Sequence, residues 1–450
     1  MTTFRNSIEG SLYSQAAKGS PTHNSYAIQP SQKKGNKLAI YTFIDAFGWE
    51  VYKQYGFLND LLPNSRKLKT TFGFSSAADP SILTGRYPDE HGHWSSFYYS
   101  PETSPFKWFK WLSYLPSRIF DRWRVRHILS KLIAKCYQYT GYFELYSVPF
   151  AKLPQFDYLE KYDYFVPNGI LKTDTIFDWC VAQEIPYYCS NWRHTEEQII
   201  EENKEVIRQG EIKMNYLYLP KLDGLMHNVG TQNKQVKEKI QWLESQVRDV
   251  YDTACEHYES VSLYVISDHG MANVSGSIDL IKRIESLGLT YSDDYVAMYD
   301  STMARFWFNN ENARSKIETE LSLISEGRIV SDAELEEMHV PHQDKKFGEL
   351  FFLMNVGLLI NPSYMGLNVI PGMHGYHPDD KHSYASILSN QNIPDNINSI
   401  TDIRKTMESE LSCATCTPSD LAPKDKDSLE FLRESTLATS IEKNNEYSRR

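Results

Sequence analysis

The sequence predicts an α/β fold built on a largely parallel central sheet. Three observations carry this expectation. Short apolar runs recur along the chain, in "KLAIYTFIDAFG" (Lys37 to Gly48), "EIPYYCSNW" (Glu184 to Trp192), "MNYLYLPKLDG" (Met214 to Gly224) and "SLYVISDHGM" (Ser262 to Met271), each of strand length and each breaking into a polar loop. Between the last two lies Asn233 to Tyr258, charged, periodic and long enough for an exposed crossover helix. Three of the four runs end beside acidic or histidine residues, and open α/β sheets build their sites at the carboxyl ends of their strands.

In chain order, residues 1–36 are polar and rich in Ser, Asn, Gln and Lys, and read as a flexible N-terminal arm. Residues 37–411 read as the single folded domain. Two regions interrupt its rhythm. Residues 101–165 form an insertion dense in aromatic and basic groups, and residues 275–365 carry further strand-like runs, "MARFWF" and "GELFFLMNVGLLI". Residues 412–450 are polar and charged and read as a loose C-terminal tail.

Composition narrows the class. An apolar fraction of 41% and a charged fraction of 23% suit a soluble globular protein, and a net charge of −11 argues against binding to nucleic-acid duplexes. There is no signal-peptide-like N-terminus and no run of about 18 apolar residues, so the expected location is cytoplasmic. The six cysteines are scattered, which fits a reducing compartment. Cys413 and Cys416 form one C-x-x-C with no second pair nearby, which argues against a zinc or redox site there.

The candidate site lies where the strands end. Asp45 follows "YTFI", Asp223 and His227 follow "YLYLPKL", and Asp268 and His269 follow "LYVIS". His374 and His377 share the loop "GMHGYHP". One aspartate after a strand is more often a turn former or helix cap. Asp223 and His227, one helical turn apart, face the same side. Asp-His-Gly directly after an apolar strand has little structural reason to be there. Together these residues make a mixed oxygen and nitrogen shell that suits zinc, and manganese less well.

The stretch "FSSAADPSILTGRYPDEHGHW" (Phe74 to Trp94) adds a hydroxyl nucleophile candidate in Ser75 or Ser76. A serine needs a base or a metal to become nucleophilic, and a helix start nearby supplies N–H groups for a phosphoryl anion. Asp79-Pro80 reads as the N-cap and first residue of the helix, with the two serines in a turn before it.

This order of motifs resembles the alkaline phosphatase superfamily, in its type I phosphodiesterase/nucleotide pyrophosphatase branch, from about Lys37 to about Leu388. "TGRYPDEHG" and "SDHGM" are the most specific islands. The resemblance implies an alkaline-phosphatase-like α/β fold with 101–165 as an inserted cap. It also implies two divalent metal ions, usually zinc, with manganese as the other option. Asp45, Asp268 and His269 would hold one, together with the nucleophile oxygen, and Asp223, His227 and His374 the other. Spacing to Thr84-Gly85 favours Ser75 as nucleophile over Ser76. Ser96 stands where the branch carries an asparagine that contacts a phosphate oxygen. The implied activity is hydrolysis of a phosphodiester or pyrophosphate bond in a small phosphorylated substrate through a phosphoserine. The alternatives are a phosphomonoesterase, a phosphoryl-group transferase, or a metal-holding protein that binds without turnover.

Phe106 to Lys135 in the insertion carries eight Lys and Arg against Asp121 alone. Ile119, Phe120, Trp123, Ile128, Leu129, Leu132 and Ile133 fall at helical spacing and predict an amphipathic basic helix. The plain expectation is that its apolar face packs on the domain while its cations stay in water. Sharper readings are a lid that attracts an anionic substrate, or peripheral contact of residues 106–135 with an anionic membrane.

Overall fold

The computed structural model describes residues 35–112 and 122–412. The predicted arm therefore lies outside the described residues apart from Gly35 and Asn36, and the predicted tail, with Cys413 and Cys416, lies outside apart from Ser412. Arg118, Ile119, Phe120 and Asp121 of the insertion also lie outside them. The residues up to Glu408 fall in one compact unit and Ser409 begins another.

Six strands make the central sheet: β1 (Gly35–Ile44), β2 (Asn64–Leu68), β3 (Tyr187–Cys189), β4 (Met214–Leu219), β5 (Tyr258–Ile266) and β6 (Ala385–Ser389). Their spatial order is β2-β6-β5-β1-β4-β3. β1 pairs in parallel with both β4 and β5, and β3 pairs in parallel with β4. β6 runs antiparallel to β5 and to β2, so the sheet is mixed. The fold is α/β, as the apolar runs predict, with the antiparallel β6 departing from an all-parallel sheet.

β1 is buried from Leu38 onward because both faces of the sheet are covered. On one face Leu38, Ile40 and Ile44 join Ile199 and Ile207 from the helix Glu196–Arg208, together with Val236, Ile240, Leu243 and Val247. Those last four come from the charged periodic segment, which is a helix over Lys234–His257 as its periodicity predicts. On the other face Tyr41 stacks on Tyr264 at 4.7 Å and Phe43 on Tyr218 at 5.0 Å.

The strand-like runs past residue 275 form a separate antiparallel sheet, in the order Tyr295–Tyr299, Met303–Phe308, Leu350–Met354 and Gly327–Val330. Phe97–Tyr99 and Phe156–Tyr158 pair antiparallel and close the base of the insertion. Phe106, Phe109, Leu145, Val148 and Leu153 of the insertion share one apolar cluster with the antiparallel sheet. No helix among the described residues is long and apolar enough to cross a membrane.

Candidate active site

β1, β4 and β5 are neighbours and run the same way, so Ile44, Leu219 and Ile266 end at one edge of the sheet. Asp45 and Asp268 follow directly. The chain after β4 turns into the helix Lys221–Val229, which carries Asp223 in its first turn and His227 one turn on. His374 comes from the loop before β6.

Asp45, Asp268 and His269 offer ligand atoms within 4.8 Å of one another, and so do Asp223, His269 and His374. His269 is shared. Its Nε2 lies 2.9 Å from Asp268 Oδ2 and 3.7 Å from Asp45 Oδ1, and its ring stacks on His374 at 3.7 Å. The resemblance implied Asp223, His227 and His374 as the second set. His227 Nε2 does lie 3.2 Å from Asp223 Oδ2, and its ring centre is 5.1 Å from that of His374. All six residues thus meet, with His269 between the two groups.

The imidazoles are oriented from behind. His227 Nδ1 donates to the Gly372 carbonyl at 2.8 Å, and His269 Nδ1 to the Gly270 carbonyl at 2.9 Å. Both Nε2 atoms therefore face the carboxylates, the arrangement metal-ligating histidines use. Asp45 Oδ1, Asp223 Oδ1, Asp268 Oδ2 and His374 Nδ1 are buried without a hydrogen-bond partner. Buried polar atoms are ordinarily satisfied, so four orphans among these six residues fit a divalent cation.

The electrostatics agree. Burial, then the Asp268 and Asp223 carboxylates, push Asp45 well above the usual carboxylate range. Burial also raises Asp223, but His227, His374 and His269 outweigh it and hold that carboxyl below its usual range. Burial lowers His269, while Asp268 and Asp223 win and push it up to about 9. Burial and the neighbouring His269 depress His374.

The serines separate cleanly. Ser75 Oγ lies 3.2 Å from His269 Nε2, whereas the buried Ser76 hydroxyl points to the Trp94 carbonyl at 3.5 Å. The helix begins at Ser75, with Phe74 as its N-cap, and Pro80 lies inside it. This corrects the reading of Asp79-Pro80 as the helix start. Ala77 and Ala78 already donate to the Phe74 carbonyl, so helical geometry is established a turn before Pro80. Asp79 is consequently no cap. It is buried, its Oδ1 has no partner, and burial and Asp268 push its carboxyl well up.

Ser96 is not aimed freely at the cluster. Its hydroxyl donates to Glu160 Oε1, on the other side of the insertion's base. His377 is half-buried and its Nδ1 accepts from the Asp379 N–H at 3.2 Å, outside the cluster. Sequence reading missed Glu160 and Phe74, and took the buried Asp79 for a cap. Phe74 packs edge-on to His374 at 5.7 Å and lines a narrow cleft with Thr70, His269, His374 and Tyr376.

Comparison with known proteins accords with this geometry. The chain matches the family described as type I phosphodiesterase/nucleotide pyrophosphatase over residues 43–377. A search of curated proteins found no match. Among solved structures, murine ectonucleotide pyrophosphatase/phosphodiesterase 5 superimposes with a TM-score of 0.59 at 15% identity, covering 85% of this chain and 96% of that one. An inactive form of the murine protein in complex with AMP gives 0.58 at 16%, with coverage of 85% and 96%. The human protein gives 0.59 at 12%, with coverage of 86% and 97%. At these identities the likeness establishes the fold, and the family match establishes the activity class, a phosphodiesterase-type hydrolase. The chain belongs to the type I phosphodiesterase/nucleotide pyrophosphatase family.

Proposed function

We propose that this enzyme cleaves a phosphodiester or pyrophosphate bond in a small nucleotide-like substrate, with Ser75 as the nucleophile and a phosphoserine as the intermediate. The observation that carries the proposal is the 3.2 Å approach of Ser75 Oγ to His269 Nε2, the residue shared by both acid–histidine groups. Ser75 Oγ attacks phosphorus as the bond to the leaving oxygen breaks, and that oxygen takes up a proton. Water then breaks the Ser75 Oγ–phosphorus bond and releases the product, returning a proton to Ser75. Ser75 stands at the first turn of a ten-residue helix, whose free N–H groups and positive end favour the phosphoryl anion.

Asp45, Asp268 and His269 would hold one divalent ion and Asp223, His227 and His374 the other, with zinc favoured by the oxygen and nitrogen donor set. Bound there, the ions would polarise the phosphoryl oxygens and ease deprotonation of the attacking hydroxyl. The AMP complex of the murine relative supports a nucleotide as the substrate class. Cys136, Cys180, Cys189 and Cys255 are free thiols, which supports a cytoplasmic location.

The test compares p-nitrophenyl thymidine 5′-phosphate with p-nitrophenyl phosphate, with zinc or manganese added. The diester should turn over at least about tenfold faster, and Ser75→Ala should lower its kcat by about a thousandfold or more while Ser76→Ala keeps most activity. A monoester preference overturns the diester reading, and an active Ser75→Ala variant overturns the nucleophile.

A further inference from the structure

The basic insertion helix, Trp123–Cys136, meets the amphipathic expectation only in part: Ile133 is buried and Leu129 packs on the core, but Trp123, Ile128 and Leu132 are exposed. Its inward face is Arg126, Ser130 and Ile133. The Arg126 guanidinium donates to the Tyr146 carbonyl at 3.1 Å and the Val148 carbonyl at 2.8 Å, and stacks over the Phe150 ring at 4.3 Å. The Ser130 hydroxyl lies 2.8 Å from Glu144 Oε1 and accepts from the Leu145 N–H at 3.0 Å. A cation and a hydroxyl therefore anchor the helix, and large apolar groups are left outside.

Trp123 is 66% exposed, Ile128 58% and Leu132 53%. Arg124, Lys131 and Lys135 are exposed with them. The helix sequence "WRVRHILSKLIAKC" contains no acidic residue. At 100° per residue, Arg124, Ile128, Lys131, Leu132 and Lys135 fall on one side of the helix, opposite Arg126, Ser130 and Ile133. One exposed leucine is ordinary, but Ile128 and Leu132 among three cations on one face of a helix mark an interaction surface.

We propose that this face of the helix rests on an anionic lipid bilayer. Ile128 and Leu132 enter the headgroup and acyl boundary while Arg124, Lys131 and Lys135 pair with lipid phosphates. Charge selects this occupant. The chain carries −11 overall, so a face with three cations and no carboxylate is where an anionic surface can approach. A second copy packed through the same face would set cations against cations. A bilayer takes both the apolar and the basic groups at once.

The test is sedimentation of the full-length chain with vesicles of phosphatidylcholine alone, or with about a third phosphatidylglycerol. The chain should sediment with the anionic vesicles only, and release as salt rises from about 50 mM to about 500 mM. Lys131→Glu with Lys135→Glu, and separately Ile128→Ser with Leu132→Ser, should each lower the partition coefficient by about tenfold or more. An unchanged melting temperature in each pair shows that the fold is intact. The proposal is overturned if the unaltered chain stays in solution with anionic vesicles, or if both folded pairs sediment as it does. Self-association that the same substitutions dissolve, without vesicle binding, overturns it too.

Discussion

Glu160 lies buried at the base of the insertion and receives the Ser96 hydroxyl proton. Burial pushes its carboxyl up to about 7, and the Ser96 hydrogen bond only partly opposes this. The folded state therefore holds a proton that the unfolded state gives up from about pH 4.5. Between about pH 4.5 and about pH 7 the folded chain binds more protons than the unfolded one, so this group's contribution to stability falls as pH rises. The full difference is about 3 kcal/mol. Urea unfolding at several pH values should show that fall, and Glu160→Gln should flatten it. A variant with the unaltered slope would refute the assignment. Asp45, Asp223, His227, Asp268, His269 and His374 were legible because each sits in a short motif beside an apolar run or in a glycine-flanked loop. Glu160 was not, because Ser96 lies 64 residues away and only the paired strands at the insertion's base join them. Asp79 was misread because Asp-Pro is a strong local signal for a helix start, and here packing overrides it.

Helices show the same division between local pattern and packing. Periodicity located Trp123–Cys136 and put Leu129 and Ile133 inward, but not Arg126, since nothing local indicates that Tyr146 and Val148 present carbonyls to it. The serine helix holds Pro80 in its interior because Ser76 to Thr84 are all buried and Thr84 Oγ1 donates to the Pro80 carbonyl at 2.6 Å. Its start depends on Phe74, and Phe74 depends on the loop that carries His374. Gly375 in that loop has φ +84°, and a Cβ there would lie 2.5 Å from the Phe74 ring. Gly375→Ala should therefore lose about 1–2 kcal/mol from the left-handed backbone alone, and more from the clash. Displacing Phe74 moves its neighbour Ser75, so kcat/KM should fall along with Tm. Gly366→Ala is the control, because a Cβ there meets nothing within 4 Å. Equal behaviour of the two variants would disprove the coupling.

At the scale of the molecule, the parallel pairing of β1 with β4 and β5 brings together carboxylates that are far apart in sequence. The apolar runs made this convergence readable, whereas the antiparallel β6 and the shared core of the insertion and second sheet rest on long-range contacts that no local pattern reports. Convergence has an energetic consequence. Asp45 is pushed well up by burial and by Asp268 and Asp223, and its Oδ1 has no hydrogen-bond partner. Without cations the carboxylates at this edge of the sheet repel one another, and a divalent ion that bound only the folded chain would relieve this. At an ion concentration of about a hundred times Kd the gain is about 2.7 kcal/mol, or roughly 3 °C in Tm for a chain of this size. Calorimetry should show the chelated protein melting lower by that amount and recovering with zinc or manganese. Asp45→Asn removes one repelling carboxylate and one ligand. It should melt higher than the unaltered chain in chelator, because a neutral amide replaces a buried acid, and it should gain much less from added metal. If Asp45→Asn melts lower in chelator, or responds to metal as fully as the unaltered chain, Asp45 is not a ligand and the repulsion is not what the ion relieves.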